Sequence, residues 1–222
     1  MKEKKPSNSA RNLYYLGFLF LFIQGIAILR NYLSNYFSFF WYCDFVSIFF
    51  AIAFFIKQEH LAKGLINIGL FAQWIFLFDF FYKLFFGISP LNITTSLFNL
   101  SIFFILSTLI VHLSTTIVLI FTYKSKPKKI TLLYSLGFLI LIYVITLIFT
   151  SSVGEINYVY SSGNLLNAFK FHIPYYTELW LAIAFIVLVL PTQGLQYLLY
   201  KLSLKKKVKK SKKKILNTPF SN

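Results

Sequence analysis

The residues able to do chemistry are few, and they sit inside or at the ends of apolar stretches: Cys43 and Asp44, Asp79 and Lys83, His112, and Glu178. An ionisable side chain within a membrane span costs roughly 2.5–3.5 kcal/mol on insertion scales and usually faces the bundle interior, so each marks a candidate site. Cys43 is the single cysteine, which excludes an internal disulfide. Buried cysteine is commonly an inert small apolar residue, but it becomes a nucleophile when a base or a positive neighbour generates its thiolate. A histidine side chain can act as a base near neutral pH, so His112 is the candidate base; Lys83 is the candidate positive neighbour. Asp79 and Lys83 are spaced i, i+4 and can pair across one turn, alone or shared with Asp44. Two acids against one lysine leave a carboxylate that needs a proton or another donor. Thr94, Ser101, Thr108, His112 and Thr115 follow helical spacing along one face, where small hydroxyl residues also favour close helix packing. No C-x-x-C, H-E-x-x-H, P-loop, G-x-S-x-G or dinucleotide spacing occurs, so neither a metal nor a cofactor is expected.

Elements that position these residues follow from composition. The 222 residues are 58% hydrophobic and only 13% charged, about half the charge of an average soluble domain, which excludes a soluble globule. Six apolar stretches, at 13–29, 37–56, 65–86, 97–123, 130–151 and 175–200, are each near the length that crosses ~30 Å of hydrocarbon. Backbone groups in lipid must bond within their own segment, so all six read as helices despite many β-favouring Phe, Ile and Tyr residues. The expected fold is an all-α polytopic bundle of six transmembrane helices over 13–203, with a basic N-terminus (1–12) and a Lys-rich disordered tail (204–222). The first stretch has no convincing small-x-small site after it and reads as an uncleaved anchor. The connection 152–174 is too polar to span, with a short surface helix expected near Leu165–Phe169.

The net charge of +16 belongs to tails and loops. Nine lysines lie between Lys201 and Lys214, and four more in 124–129. With Lys2, Lys4, Lys5, Arg11, Lys57 and Lys63, they fall on one side of the alternating topology, leaving Arg30, Lys83 and Lys170 opposite. The positive-inside rule therefore predicts both termini in the cytoplasm. Lysines beside a span attract anionic lipid headgroups by roughly 1 kcal/mol each, so membrane lipid is the expected partner and nucleic acid is not. The excess of lysine over arginine, with 28 phenylalanines, matches an AT-rich prokaryotic genome. Placed in this topology, Cys43, Asp44, Asp79 and Glu178 gather in the outer half of the bundle. His112 joins them if helix four enters the lipid near Ile102, a later start that the polar 94–101 stretch favours.

At these residues the chain resembles a group of uncharacterised bacterial integral membrane proteins. The resemblance rests on Cys43-Asp44, on Asp79-Phe80 with Lys83-Leu84 and Gly87, and on His112. It continues through Ile156-Asn157-Tyr158-Val159-Tyr160 and Leu190-Pro191-Thr192. More distantly it is similar to YwaF-type proteins and to the six-helix superfamily of membrane lipid acyltransferases and androgen-induced fatty-ester hydrolases. That resemblance implies Cys43 as nucleophile and His112 as base. The chain departs from it in having Ser114-Thr115-Thr116 where those relatives place a proline.

The expected function is therefore acyl transfer or ester hydrolysis at an intramembrane Cys43–His112 site in the cell membrane. Asp44, Asp79 or Asn157 would orient the base or bind the headgroup, with Lys83 and Glu178 supporting. Two alternatives remain: a small-solute or proton carrier or receptor using the buried acids, and a membrane assembly partner. Midplane sites in carriers usually come with broken helices and internal repeats, and no clear repeat is found.

Overall fold

In this computed structural model the described residues are 8–33, 39–150, 156–160 and 175–216, with side chains described only between 13 and 205. The expected surface helix at Leu165–Phe169 lies outside them. The architecture is all-helical: α1 (Asn8–Leu33), α2 (Tyr42–Phe55), α3 (Glu59–Phe86), α4 (Ile102–Thr122), α5 (Lys129–Phe149), α6 (Tyr176–Ala184) and α7 (Leu190–Leu216). A π-helical turn, Phe185–Val189, joins α6 to α7. Five segments are long and apolar enough to cross a membrane: Leu13–Leu33, Glu59–Phe86, Ile102–Thr122, Lys129–Phe149 and Tyr176–Lys205. The sixth expected span is the shorter α2, whose 14 residues rise only about 21 Å.

Differences in helix bounds have local causes. Helix α1 runs past the apolar stretch to Leu33, which brings Arg30 and Asn31 onto the helix. Helix α4 begins at Ile102, after a 3-10 turn at Leu97–Asn99, so the polar 94–101 stretch stays outside it. Between α2 and α3, Lys57 adopts φ 56°, and Gln58 N–H reaches back to Ala53 O at 2.7 Å. With Lys57 N–H on Phe54 O this is a Schellman ending, so two helices meet with almost no loop. Beyond the last span, helix continues through the lysine run to Leu216, where the sequence suggests disorder from 204. Lysine is a good helix former, and a run attached to an existing helix needs no new nucleus.

Helix α3 lies at the centre, against α2, α4, α5 and α7. Two glycines allow this. A Cβ at Gly64 would lie 2.7 Å from Tyr134 Cβ, and one at Gly69 would collide with the Tyr42 ring and Thr115. Close approach at small residues is how helices gain contact in lipid, where neighbouring chains offer no hydrophobic advantage. Phe20, Val46, Phe50, Leu65, Leu70 and Val111 fill the core. Phe22, Ile102, Leu133, Ile148 and Ile186 point outward, an apolar exterior fit for lipid. Basic loops collect at one end: Lys63 Nζ donates to Ser125 O at 2.7 Å, and Lys57 sits 5.2 Å from the Tyr14 ring centroid.

Candidate functional site

The centre of the polar interior is Arg30, which the sequence places in a loop. It is 7% exposed and pairs through Nη2 with Asp44, itself 3% exposed. This is the one ion pair among the described residues. Arg30 Nη1 donates to Thr108 Oγ1 at 3.0 Å, and Nε and Nη2 donate to Asn31 Oδ1 at 3.2 and 3.1 Å. Asn31 Nδ2 in turn donates to Asp44 Oδ2 at 3.1 Å. One guanidinium thus ties α1, α2 and α4 together, and both carboxylate oxygens have a donor. Gln24, lower on α1, donates to Asp44 O at 2.9 Å and accepts Ile48 N–H at 3.1 Å. Its amide grips both groups of one rung of α2, fixing the turn that follows Asp44.

Cys43 and His112 flank this centre. Cys43 is a free thiol, half-buried, one residue before Asp44. His112 lies one turn beyond Thr108 and places Nδ1 2.8 Å from the Thr108 carbonyl, with its ring stacked on Phe76 at 3.7 Å between centroids. A carbonyl only accepts, so that bond puts the neutral ring's proton on Nδ1 and leaves the basic lone pair on Nε2. Nε2 has no hydrogen-bond partner among the described residues. No hydrogen bond joins Cys43 to His112. Arg30, not Lys83, is the cation of this centre: it is bonded to the residue after one and to the residue a turn before the other.

The other expected residues are elsewhere. Asp79 and Lys83 do not pair. The Asp79 carboxylate accepts the Ser89 hydroxyl (2.6 Å), the backbone N–H groups of Leu91, Ile93 and Thr94 (2.8, 3.1 and 2.9 Å) and the Thr94 hydroxyl (2.9 Å). Those donors lie on the loop after Gly87, which satisfies the charge that two acids against one lysine leave over. Lys83 donates to Thr95 O at 3.0 Å and lies 5.3 Å from the Phe98 ring centroid. The polar stripe is shorter than its spacing suggests: Thr94 belongs to the Asp79 loop and Ser101 precedes α4, leaving Thr108, His112 and Thr115 on the helix. Asn157, at φ 52°, accepts Tyr42 N–H at 2.8 Å and donates to Phe40 O at 2.8 Å and Thr146 Oγ1 at 3.0 Å. It caps α2 and straps it to α5. Glu178 is exposed in the first turn of α6, where the helix dipole favours an acid.

A second buried network contains none of the titratable candidates. Asn67 Nδ2 donates to Ser135 Oγ (3.0 Å) and Gln193 Oε1 (2.9 Å), and Gln196 Nε2 donates to Asn67 Oδ1 (2.7 Å) and Lys63 O (3.1 Å). Higher on α3, Gln73 Oε1 accepts the Thr115 hydroxyl at 2.6 Å. Neutral amides do not register when a span is scanned for charge. Amide side chains set inside apolar segments, Asn67 and Gln73 on α3 and Gln193 and Gln196 on α7, are the signal that would have found them. Among the described residues no group of His, Cys, Asp and Glu is arranged to hold a metal ion. No known family model matches the chain, and no curated protein and no solved structure matches it, so the functional reading rests on geometry.

Proposed function

We propose that the chain is a six-span integral membrane protein of the cell membrane with both termini cytoplasmic, α2 being the short span. We further propose that its Arg30–Asp44 centre serves acyl transfer or ester hydrolysis on membrane lipid. The observation that carries this is His112: its Nδ1 is committed to a backbone carbonyl, its Nε2 lone pair has no partner among the described residues, and its helix is tied by Arg30 to the helix bearing the free Cys43 thiol. In the reaction the Cys43 thiol gives its proton to His112 Nε2 and its sulfur attacks the ester carbonyl. The departing alkoxide takes the proton back, leaving an acyl thioester that a second alcohol or water cleaves. The mechanism requires Cys43 and His112 to come together on the bound ester, as catalytic hydrogen bonds commonly tighten only with substrate present. The lysine-rich end lies against anionic headgroups, and nucleic acid is no partner.

The test is acyl exchange or release on phospholipid and simple esters by the purified protein in vesicles. Turnover should fall at least ~100-fold in Cys43→Ala and in His112→Ala; wild-type turnover in both excludes the mechanism. Saturation of the Arg30–Asp44 pair favours a second reading, in which the centre is a structural clamp in a carrier, a receptor or an assembly partner. That reading predicts solute uptake or partner capture that survives Cys43→Ala and is lost with Asp44→Asn.

A further inference from the structure

Five buried side-chain atoms have no hydrogen-bond partner among the described residues: Ser47 Oγ, Gln73 Nε2, Ser114 Oγ, Thr192 Oγ1 and Gln196 Oε1. Buried polar atoms are nearly always satisfied, by protein or by ordered water, so each asks for an explanation. Two of them belong together. Thr192 and Gln196 are i, i+4 on one face of α7, and both residues are fully buried at 0% exposure. Side chains so spaced are neighbours on a helix.

Gln196 cannot relieve its own carbonyl. Its Nε2 is held by two acceptors, Lys63 O and Asn67 Oδ1, and turning the amide over would set Oε1 against both oxygens. Oε1 therefore points in a fixed direction and needs a donor. Thr192 sits just beyond Pro191, which has no N–H and removes one rung of the ladder in the turn before it. The surroundings are neutral: Asn67, Ser135 and Gln193 carry no charge, and the nearby Lys63 ammonium is used by Ser125 O. A group that bonds here must be small and uncharged, and it must donate to Gln196 Oε1 while pairing with the Thr192 hydroxyl.

We propose that one ordered water is held between Thr192 and Gln196, joining α7 to the amide network of α3 and α5. Such a water takes two to four bonds and resists removal. It is separate from any activity at Arg30–Asp44 and stands or falls independently.

The test compares Thr192→Val, which keeps the shape and deletes the hydroxyl, with Thr192→Ser, which keeps it. Two readouts are used on the full chain in detergent or bicelles: thermal unfolding, and water-to-amide magnetisation transfer at the Gln196 side-chain NH2. The expected result is a transfer peak in wild type and in Thr192→Ser that is lost in Thr192→Val, with the Val variant melting about 2–4 °C lower. A wild-type Gln196 with no water transfer overturns the proposal. So does a Val variant that melts at or above the wild type, because deleting an unpaired buried hydroxyl should stabilise.

Discussion

Two polar interiors share this bundle and are built on opposite principles. The first, at the end where α1 finishes and α2 begins, buries a charge pair and gives every polar atom of Arg30, Asn31 and Asp44 a partner. The second, around Asn67, Gln193 and Gln196, is neutral and leaves Thr192 Oγ1 and Gln196 Oε1 without partners among the described residues. A buried charge left alone is too costly to persist, so the charged centre must be closed on itself, whereas a neutral network can be completed by a single small uncharged donor such as water. The lesson concerns function as well as packing. The centre that holds the charges is also the one flanked by Cys43 and a histidine nitrogen without a partner among the described residues, whereas the amide centre joins helices and, among the described residues, carries no reactive group.

The largest expected effect breaks the charged centre. Arg30→Met should destabilise the protein by about 3–5 kcal/mol, because Asp44 is left buried and unpaired; denaturant unfolding in mixed micelles measures it. A loss below about 1 kcal/mol would show the centre to be solvated. Next is Asp79→Ala, which removes the acceptor of five hydrogen bonds from the 89–94 loop. About 2–3 kcal/mol should be lost, with faster amide exchange confined to that loop.

In the amide centre, Asn67→Leu should cost less, about 1–2 kcal/mol, since no charge is stranded. Equal losses for Asn67→Leu and Arg30→Met would erase the distinction between the two interiors. Smallest is Lys83→Ala. Its only polar partner among the described residues is a carbonyl near the surface, so unfolding should shift by no more than about 0.5 kcal/mol. A loss of 2 kcal/mol or more would restore the Asp79–Lys83 pair that the i, i+4 spacing suggests.

Much of the frame was legible in the sequence: the helical class, the positions of the long apolar segments, the late start of α4 at Ile102, and the polarity of Asp44 and His112. The rest is set by contacts that no local pattern carries. Arg30 follows the apolar stretch by one residue, so hydropathy hands it to a loop, although the helix continues and long-range contact with Asp44 draws it inward. Asp79 finds its donors in backbone N–H groups 12 to 15 residues away, and no side-chain pattern announces a loop that folds back. Asn157 is visible only through the resemblance; its left-handed backbone and its cap on α2 are tertiary facts. Asn67, Gln73, Gln193 and Gln196 carry no charge, so the insertion cost that marks an ionisable group in a span does not single them out.

Arg30 and Asp44 form one closed buried unit that fixes α1 against α2. The most direct measurement is a double-mutant cycle in lipid bicelles with Arg30→Met, Asp44→Leu and the double variant. A coupling of at least about 2 kcal/mol is expected, with the double variant recovering most of the stability lost by either single change. Additive losses, with a coupling near zero, would contradict the account.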